Sequence, residues 1–107
     1  MPTADIVIIG AGPAGLFAAY YTGMRGLRCI VVDSLPHLGG QVAALYPEKF
    51  VYDVAGFPAV RGRELIEGLT AQALSADPEI ILGEECSTLE ERPDGTLRVP
   101  TATGTEI

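Results

Sequence analysis

Gly10-Ala11-Gly12-Pro13-Ala14-Gly15 follows directly on the apolar run that starts at Asp5 and ends at Ile9, and a second apolar run, Cys29 to Asp33, closes on an acid. Glycine-rich hexamers occur by chance in loops, so the hexamer alone says little. Its setting says more, because the residues before it read as a buried strand and those after it as a helix. Strand, glycine turn, helix and a second strand ending in a carboxylate form the pattern of a dinucleotide-binding βαβ unit. Each residue type has a physical task in that pattern. Gly10 permits the tight turn out of the strand, Gly12 lets the backbone approach a pyrophosphate with no Cβ in the way, and Gly15 allows close helix–strand packing. Pro13 suits the first helical turn, where its missing N–H would have no partner anyway. The N–H groups that remain there, from Ala14 onward, and the positive end of the helix dipole face the phosphates. The plain alternative is a structural glycine turn that holds no ligand.

The unit extends on both sides of the turn. The first strand, Asp5 to Ile9, is continuously apolar from Ile6 and β-branched, which predicts burial on both faces. The first helix is predicted from Pro13 to Arg25. Leu16, Phe17, Ala18, Ala19, Tyr20 and Tyr21 leave it almost no polar face, so it too is expected to be buried. Arg25 favours the negative helix end and Gly26 stops the helix. The second strand is Cys29 to Asp33, and so short a connection forces a right-handed crossover between parallel strands. A second helix follows from Arg63 to Ala76, with Leu65, Ile66, Leu69 and Ala73 on one stripe, and a third strand runs from Glu79 to Leu82. Cys86–Glu90 and Thr96–Val99 flank the turn Arg92-Pro93-Asp94-Gly95 and predict a β-hairpin. Thr103-Gly104-Thr105 reads as a further turn, so the chain stops where a third antiparallel strand would begin.

Residues 34–62 fit neither helical nor strand period, being broken by Pro36, Gly39, Gly40, Pro47, Gly56 and Pro58. A long irregular stretch in a small domain is usually functional or disordered. Tyr46, Phe50, Tyr52 and Phe57 argue for order, since disordered segments are poor in aromatics. The expectation is an ordered loop packed against something planar, or against its own protein.

Composition narrows the class of partner. The 107 residues carry a net charge of −7, unevenly placed. Residues 1–63 hold five basic and four acidic side chains, and residues 64–107 hold two basic and ten acidic. Such a second part repels nucleic acid and anionic membrane, so neither is an expected partner. The N-terminal apolar run lacks a basic flank and is too short for a signal peptide or a membrane span. Cys29 and Cys86 form no CxxC motif, and the expected state is two reduced thiols in a cytoplasmic protein. Nothing supplies Cys86 with a resolving thiol or a cationic neighbour, so it is not read as a redox residue. His37 beside Pro36 reads as an exposed imidazole, and the pairs Glu84-Glu85 and Glu90-Glu91 read as solvated strand ends. No catalytic residue and no metal ligand is assigned.

The first unit by itself permits NAD, NADP or FAD, with Asp33 disfavouring a 2′-phosphate. Three longer stretches are more specific. GAGPAGLFAAYYTGMRG, LPHLGGQVAALYPEKFVYDVAGFP and RGRELIEGL together closely resemble the thioredoxin-reductase-like (type 2) class of bacterial ferredoxin–NADP reductases, over essentially the whole chain. The resemblance implies an α/β fold: a Rossmann-like FAD-binding domain with a parallel sheet plus an antiparallel β-meander, truncated here. It implies that residues 1–107 are the N-terminal part of that FAD-binding domain, of the pyridine nucleotide-disulfide oxidoreductase kind, and that the NADP-binding domain is absent from this chain. FAD is the implied cofactor, NADPH the co-substrate and ferredoxin or a similar one-electron acceptor the partner, with a homodimer carrying the activity.

Position by position, the resemblance places Gly10, Gly12, Pro13, Ala14 and Gly15 at the FAD pyrophosphate and Asp33 at the adenosine ribose, where flavoproteins more often have Glu. Gly40 and Gln41 would line the stretch near the flavin, and Tyr46 would stack on the isoalloxazine. Cys86 opens the meander where the family usually has a small aliphatic residue meeting the adenine. Two other functions stay open on the residues: a thioredoxin-reductase-type disulfide reductase, which needs a CxxC outside these residues, and a catalytically inactive truncated nucleotide-binding module.

Overall fold

The computed structural model describes residues 3–100. A three-stranded parallel sheet forms its centre, built from β1 (Ile6–Ile9), β2 (Cys29–Asp33) and β5 (Glu79–Leu82) in the order β1-β2-β5. Ile6 pairs with Cys29 and Ile9 with Val32, while Ile30 pairs with Glu79 and Asp33 with Leu82. β2 is therefore the inner strand. Its side chains alternate between two cores, as strand geometry requires. Cys29 and Val31 face Leu16, Ala19 and Ala73 of the helices, and Ile30 and Val32 face Val99.

The helical layer consists of α1 (Pro13–Met24) and α3 (Gly62–Ser75). α3 buries Leu65, Ile66 and Ala73 from the predicted stripe. α1 ends with Leu27 N–H donating to the Thr22 carbonyl at 3.2 Å and Gly26 N–H to Gly23 at 3.0 Å, the paired bonds of a glycine-stopped helix. The far face of the sheet is covered by the hairpin β6 (Glu90–Glu91) and β7 (Leu97–Arg98), which delivers Val99 to Ile30 and Val32. The hairpin is where the sequence predicts it, with a shorter paired region. The predicted turn at residues 103–105 and a third antiparallel strand lie outside the described residues.

Three expectations change. β1 is not buried on both faces: it is the sheet edge among the described residues, and Ile6 and Ile9 are 37% and 59% exposed. A β-branched run reports strand propensity, and burial depends on neighbours that the run does not specify. α1 is not buried all round either. It buries Leu16, Ala19 and Thr22 against the sheet and α3, and turns Phe17, Tyr21 and Met24 outward. Residues 34–62 are ordered but contain regular structure. They form the short helix α2 (Gly40–Leu45) and an antiparallel pair, β3 (Phe50–Val51) with β4 (Val60–Arg61). Six helical residues are too few to show a period.

Candidate functional site

The parallel strands all end at one edge of the sheet, and ligands of open α/β sheets bind beyond such an edge. β1 leads there into Gly10, β2 into Ser34, and β5 into Gly83–Cys86. Backbone bonds tie the exits together. Gly10 N–H donates to the Val32 carbonyl at 2.7 Å, Glu84 N–H to Asp33 at 3.0 Å and Gly83 N–H to Leu35 at 3.0 Å. The result is a cleft of about 120 Å³ lined by Ile9, Gly10, Val32, Asp33, Ser34, Glu84, Glu85 and Cys86. Gly10, Asp33 and Cys86, predicted site residues from three separate segments, meet in it.

Asp33 organises this edge. Its Oδ2 accepts from the Ala11 N–H at 2.7 Å and its Oδ1 from the Leu35 N–H at 2.9 Å. The carboxylate thus holds the glycine turn in place as well as facing the cleft. Each oxygen keeps a lone pair for a further donor such as a hydroxyl.

The glycine turn itself has the shape a phosphate needs. Gly12 caps α1 with no side chain bonded to the helix end, and Pro13 is its first residue. A methyl group built on Gly12 meets nothing within 4 Å, so the space above it is open. A methyl on Gly15 would lie 1.9 Å from the Gly10 carbonyl oxygen, so helix and turn touch backbone to backbone. Ala14 and Gly15 occupy the first turn, where N–H groups have no intrahelical acceptor. Open backbone, uncapped N–H groups, a positive helix end and a carboxylate on the same edge are the donor and acceptor set of an adenine dinucleotide. The residues present fit that group.

A second glycine pair completes the turn. Gly39 and Gly40 adopt φ of +107° and +58°, conformations that side chains disfavour. Gly39 N–H donates to the Ala11 carbonyl at 2.8 Å, and a methyl on Gly40 would lie 3.0 Å from the Gly12 Cα. Gly40 therefore sits at the glycine turn itself, at the start of α2. Gln41 follows it on α2 and is exposed. At the other end of α2, Tyr46 lines a separate cleft of about 410 Å³ with Val42, Lys49, Phe50, Val51, Tyr52 and Asp53. The Lys49 Nζ stands 5.1 Å from the centre of the Tyr46 ring. α2 thus links the glycine turn to an aromatic cleft.

Sequence reasoning missed three residues here. Gly39, Lys49 and Gly62 hold or flank these surfaces, and only the Gly39-Gly40 doublet carried a local signal. The two thiols are free. They lie in the cores on opposite sides of the sheet, Cys29 with the helices and Cys86 with the hairpin. Burial pushes both upward in pKa, and the charge of Glu84 adds to the rise at Cys86. Both changes oppose thiolate formation. Among the described residues, no group of three or more His, Cys, Asp or Glu could hold a metal ion, and no helix is long and apolar enough to cross a membrane. His37 is exposed, with Nδ1 3.2 Å from the Leu38 carbonyl.

A family model described as "NAD(P)-binding Rossmann-like domain" matches residues 8–62. The chain is 57% identical over 106 residues to a ferredoxin–NADP reductase of Nocardioides sp. (strain ATCC BAA-499 / JS614), covering 96% of this chain and 32% of that protein. It is 55% identical over 97 residues to ferredoxin–NADP reductase 2 of Shouchella clausii (strain KSM-K16), covering 91% of this chain and 29% of that one. It thus spans about a third of the length of these relatives. Among solved structures, Lactococcus lactis thioredoxin reductase aligns with a TM-score of 0.81 at 24% identity, over 98% of this chain and 32% of that chain. That likeness concerns the fold, and it is the Rossmann-like α/β fold that the sequence predicts.

Proposed function

This chain belongs to the NAD(P)-binding Rossmann-like domain family, and from that premise we propose that it is the FAD-binding part of a flavoprotein oxidoreductase that passes electrons from NADPH to ferredoxin or a similar one-electron acceptor. In this reading residues 1–107 form the N-terminal part of the FAD-binding domain, and the nicotinamide site lies outside them. The names of the relatives support the acceptor and the nicotinamide. The observation that carries the reading is the meeting of Gly10, Asp33 and Cys86 in one cleft, next to the open backbone at Gly12.

Bound FAD supplies the chemistry, accepting a hydride and releasing single electrons. The chain binds and orients. The N–H groups of Ala14 and Gly15 receive the pyrophosphate at the positive end of α1. Asp33 accepts from a ribose hydroxyl with the lone pairs that Ala11 and Leu35 leave, and Gly10 and Cys86 border the adenine end. Gly40 keeps the path over Gly12 clear. Gln41 and Tyr46 lead toward the flavin, with the Tyr46 ring covering its face and excluding water. An acidic ferredoxin requires a basic surface, which the acidic residues 64–107 do not offer, so docking falls to another part of the parent. A cytoplasmic homodimer is the assembly we assign to that parent.

The alternative enzyme reading is a thioredoxin-reductase-type disulfide reductase. It requires a CxxC dithiol outside these residues, since Cys29 and Cys86 face opposite sides of the sheet. A third reading, a nucleotide-binding module without catalysis, predicts a colourless protein. The test is to denature the full-length protein that carries this segment and identify what it releases by absorbance and mass. Release of FAD supports the proposal. Release of a nicotinamide dinucleotide without flavin overturns it.

A further inference from the structure

The turn from Tyr46 to Lys49 is built on the start of α3. Arg63 N–H donates to the Pro47 carbonyl at 2.7 Å, Gly62 N–H to Lys49 at 2.8 Å, and Lys49 N–H to Tyr46 at 3.3 Å. Glu48 adds ion pairs to Arg61 at 3.4 Å and Arg63 at 3.6 Å, all three side chains well exposed and so contributing little. The closest approach is at Gly62. A methyl built there would lie 2.5 Å from the Tyr46 carbonyl oxygen and 2.9 Å from Val42 Cγ1. Gly62 is buried, is the first residue of α3, and has no positive φ. Its backbone conformation suits any residue, and alanine is the better helix former. What the missing side chain provides at this position is room for the Tyr46 carbonyl.

We propose that Gly62 is a positioning residue for Tyr46, its bare Cα letting the Tyr46–Lys49 turn seat on α3 and so setting where the Tyr46 ring stands over its cleft. The assignment rests on the reading in which that ring covers the flavin. Gly62 touches no ligand. It acts through a backbone oxygen, and its removal moves the ring as a consequence.

The experiment compares wild type, Gly62→Ala, Tyr46→Ala and the double variant in this chain. Two readouts separate the claims. Without ligand, the NMR shifts of the Lys49 side-chain protons report the ring beneath them. They move upfield in wild type, lose that displacement in Tyr46→Ala, and change in Gly62→Ala. With FAD titrated by fluorescence, Gly62→Ala weakens binding about three- to tenfold, the range that loss of one aromatic stack gives. In the Tyr46→Ala background it has no further effect, because the ring it positions is gone. Unchanged Lys49 shifts in Gly62→Ala overturn the proposal, and so does an equal loss of FAD affinity in both backgrounds. Changed Lys49 shifts with FAD binding indifferent to Tyr46→Ala overturn the flavin reading and leave the positioning standing. Should Gly62→Ala unfold by circular dichroism, Val42→Ala/Gly62→Ala removes the second clash and takes its place in the cycle.

Discussion

Gly12 and Gly15 belong to one motif, and the structure assigns them different physical tasks. Gly15→Ala puts a methyl carbon 1.9 Å from the Gly10 carbonyl oxygen and 3.0 Å from its carbon. Neither is a side-chain atom that can rotate away, so α1 or the glycine turn must shift. Forced overpacking of this kind costs about 1–3 kcal/mol and sometimes more. Alanine's helix preference over glycine returns up to about 1 kcal/mol. With an immobile backbone oxygen at 1.9 Å the upper end of that cost applies, and the expected net loss is about 2 kcal/mol. Gly12→Ala meets nothing within 4 Å and has φ of −75°, so it carries no clash and no backbone strain. Its expected effect on stability is within about 0.5 kcal/mol. Its methyl does fill the space above the uncapped helix end, so it blocks a phosphate. Urea unfolding followed by circular dichroism measures the first quantity. With a slope of about 1–3 kcal/mol/M, the Gly15→Ala midpoint falls by about 0.5–2 M while Gly12→Ala stays near wild type. FAD titration measures the second, with affinity lost in Gly12→Ala. Equal midpoints for Gly15→Ala and wild type, or a Gly12→Ala variant as unstable as Gly15→Ala, would refute the reasoning.

Asp33→Ala strands the N–H groups of buried Ala11 and half-buried Leu35, and is expected to cost about 1–3 kcal/mol even without ligand; unchanged stability would reduce Asp33 to a ligand contact. Because burial raises the pKa of Cys29 and Cys86, both thiols hold their protons more firmly in the folded chain than in the unfolded one. Iodoacetamide is then expected to alkylate buried Cys29 far more slowly at neutral pH than in urea, and equal rates would contradict its burial. By the same sign, the stability the two thiols contribute is present below the ordinary thiol value of 9.0 and is lost as pH rises past it. Serine at position 29 should flatten that alkaline decline, measured by urea midpoints across pH.

The βαβ unit was legible because its signals are local. Ile6 to Ile9, the glycine hexamer and Cys29 to Asp33 each specify backbone through propensity and turn chemistry, and the three agree with one topology. Exposure was not legible. Ile9 reads as core because it is apolar and β-branched, yet β1 is a sheet edge among the described residues, and only the sheet order shows it. α2 escaped because a six-residue helix that begins on two left-handed glycines has neither period nor cap. That Gly10, Asp33 and Cys86 belong together was legible in the sequence, and the layout around them was less so. The resemblance puts Gly40 on the stretch toward the flavin, and its packing on Gly12 is visible only in the structure, since nothing local predicts a hydrogen bond from Gly39 to Ala11. The role of Gly62 depends on a contact with Tyr46 across the start of α3, which no spacing rule could supply.

The most direct test of the account asks whether its residues form one ligand site. With the amide resonances of the chain assigned, titration with ADP and then with FAD separates the two ends of that site. The account predicts that ADP shifts Gly12, Ala14, Gly15, Asp33 and Cys86 together and leaves Tyr46 unmoved, and that FAD shifts the same five residues and Tyr46 as well. Shifts scattered away from the glycine turn, or FAD shifts that stop at the turn and never reach Tyr46, would contradict it.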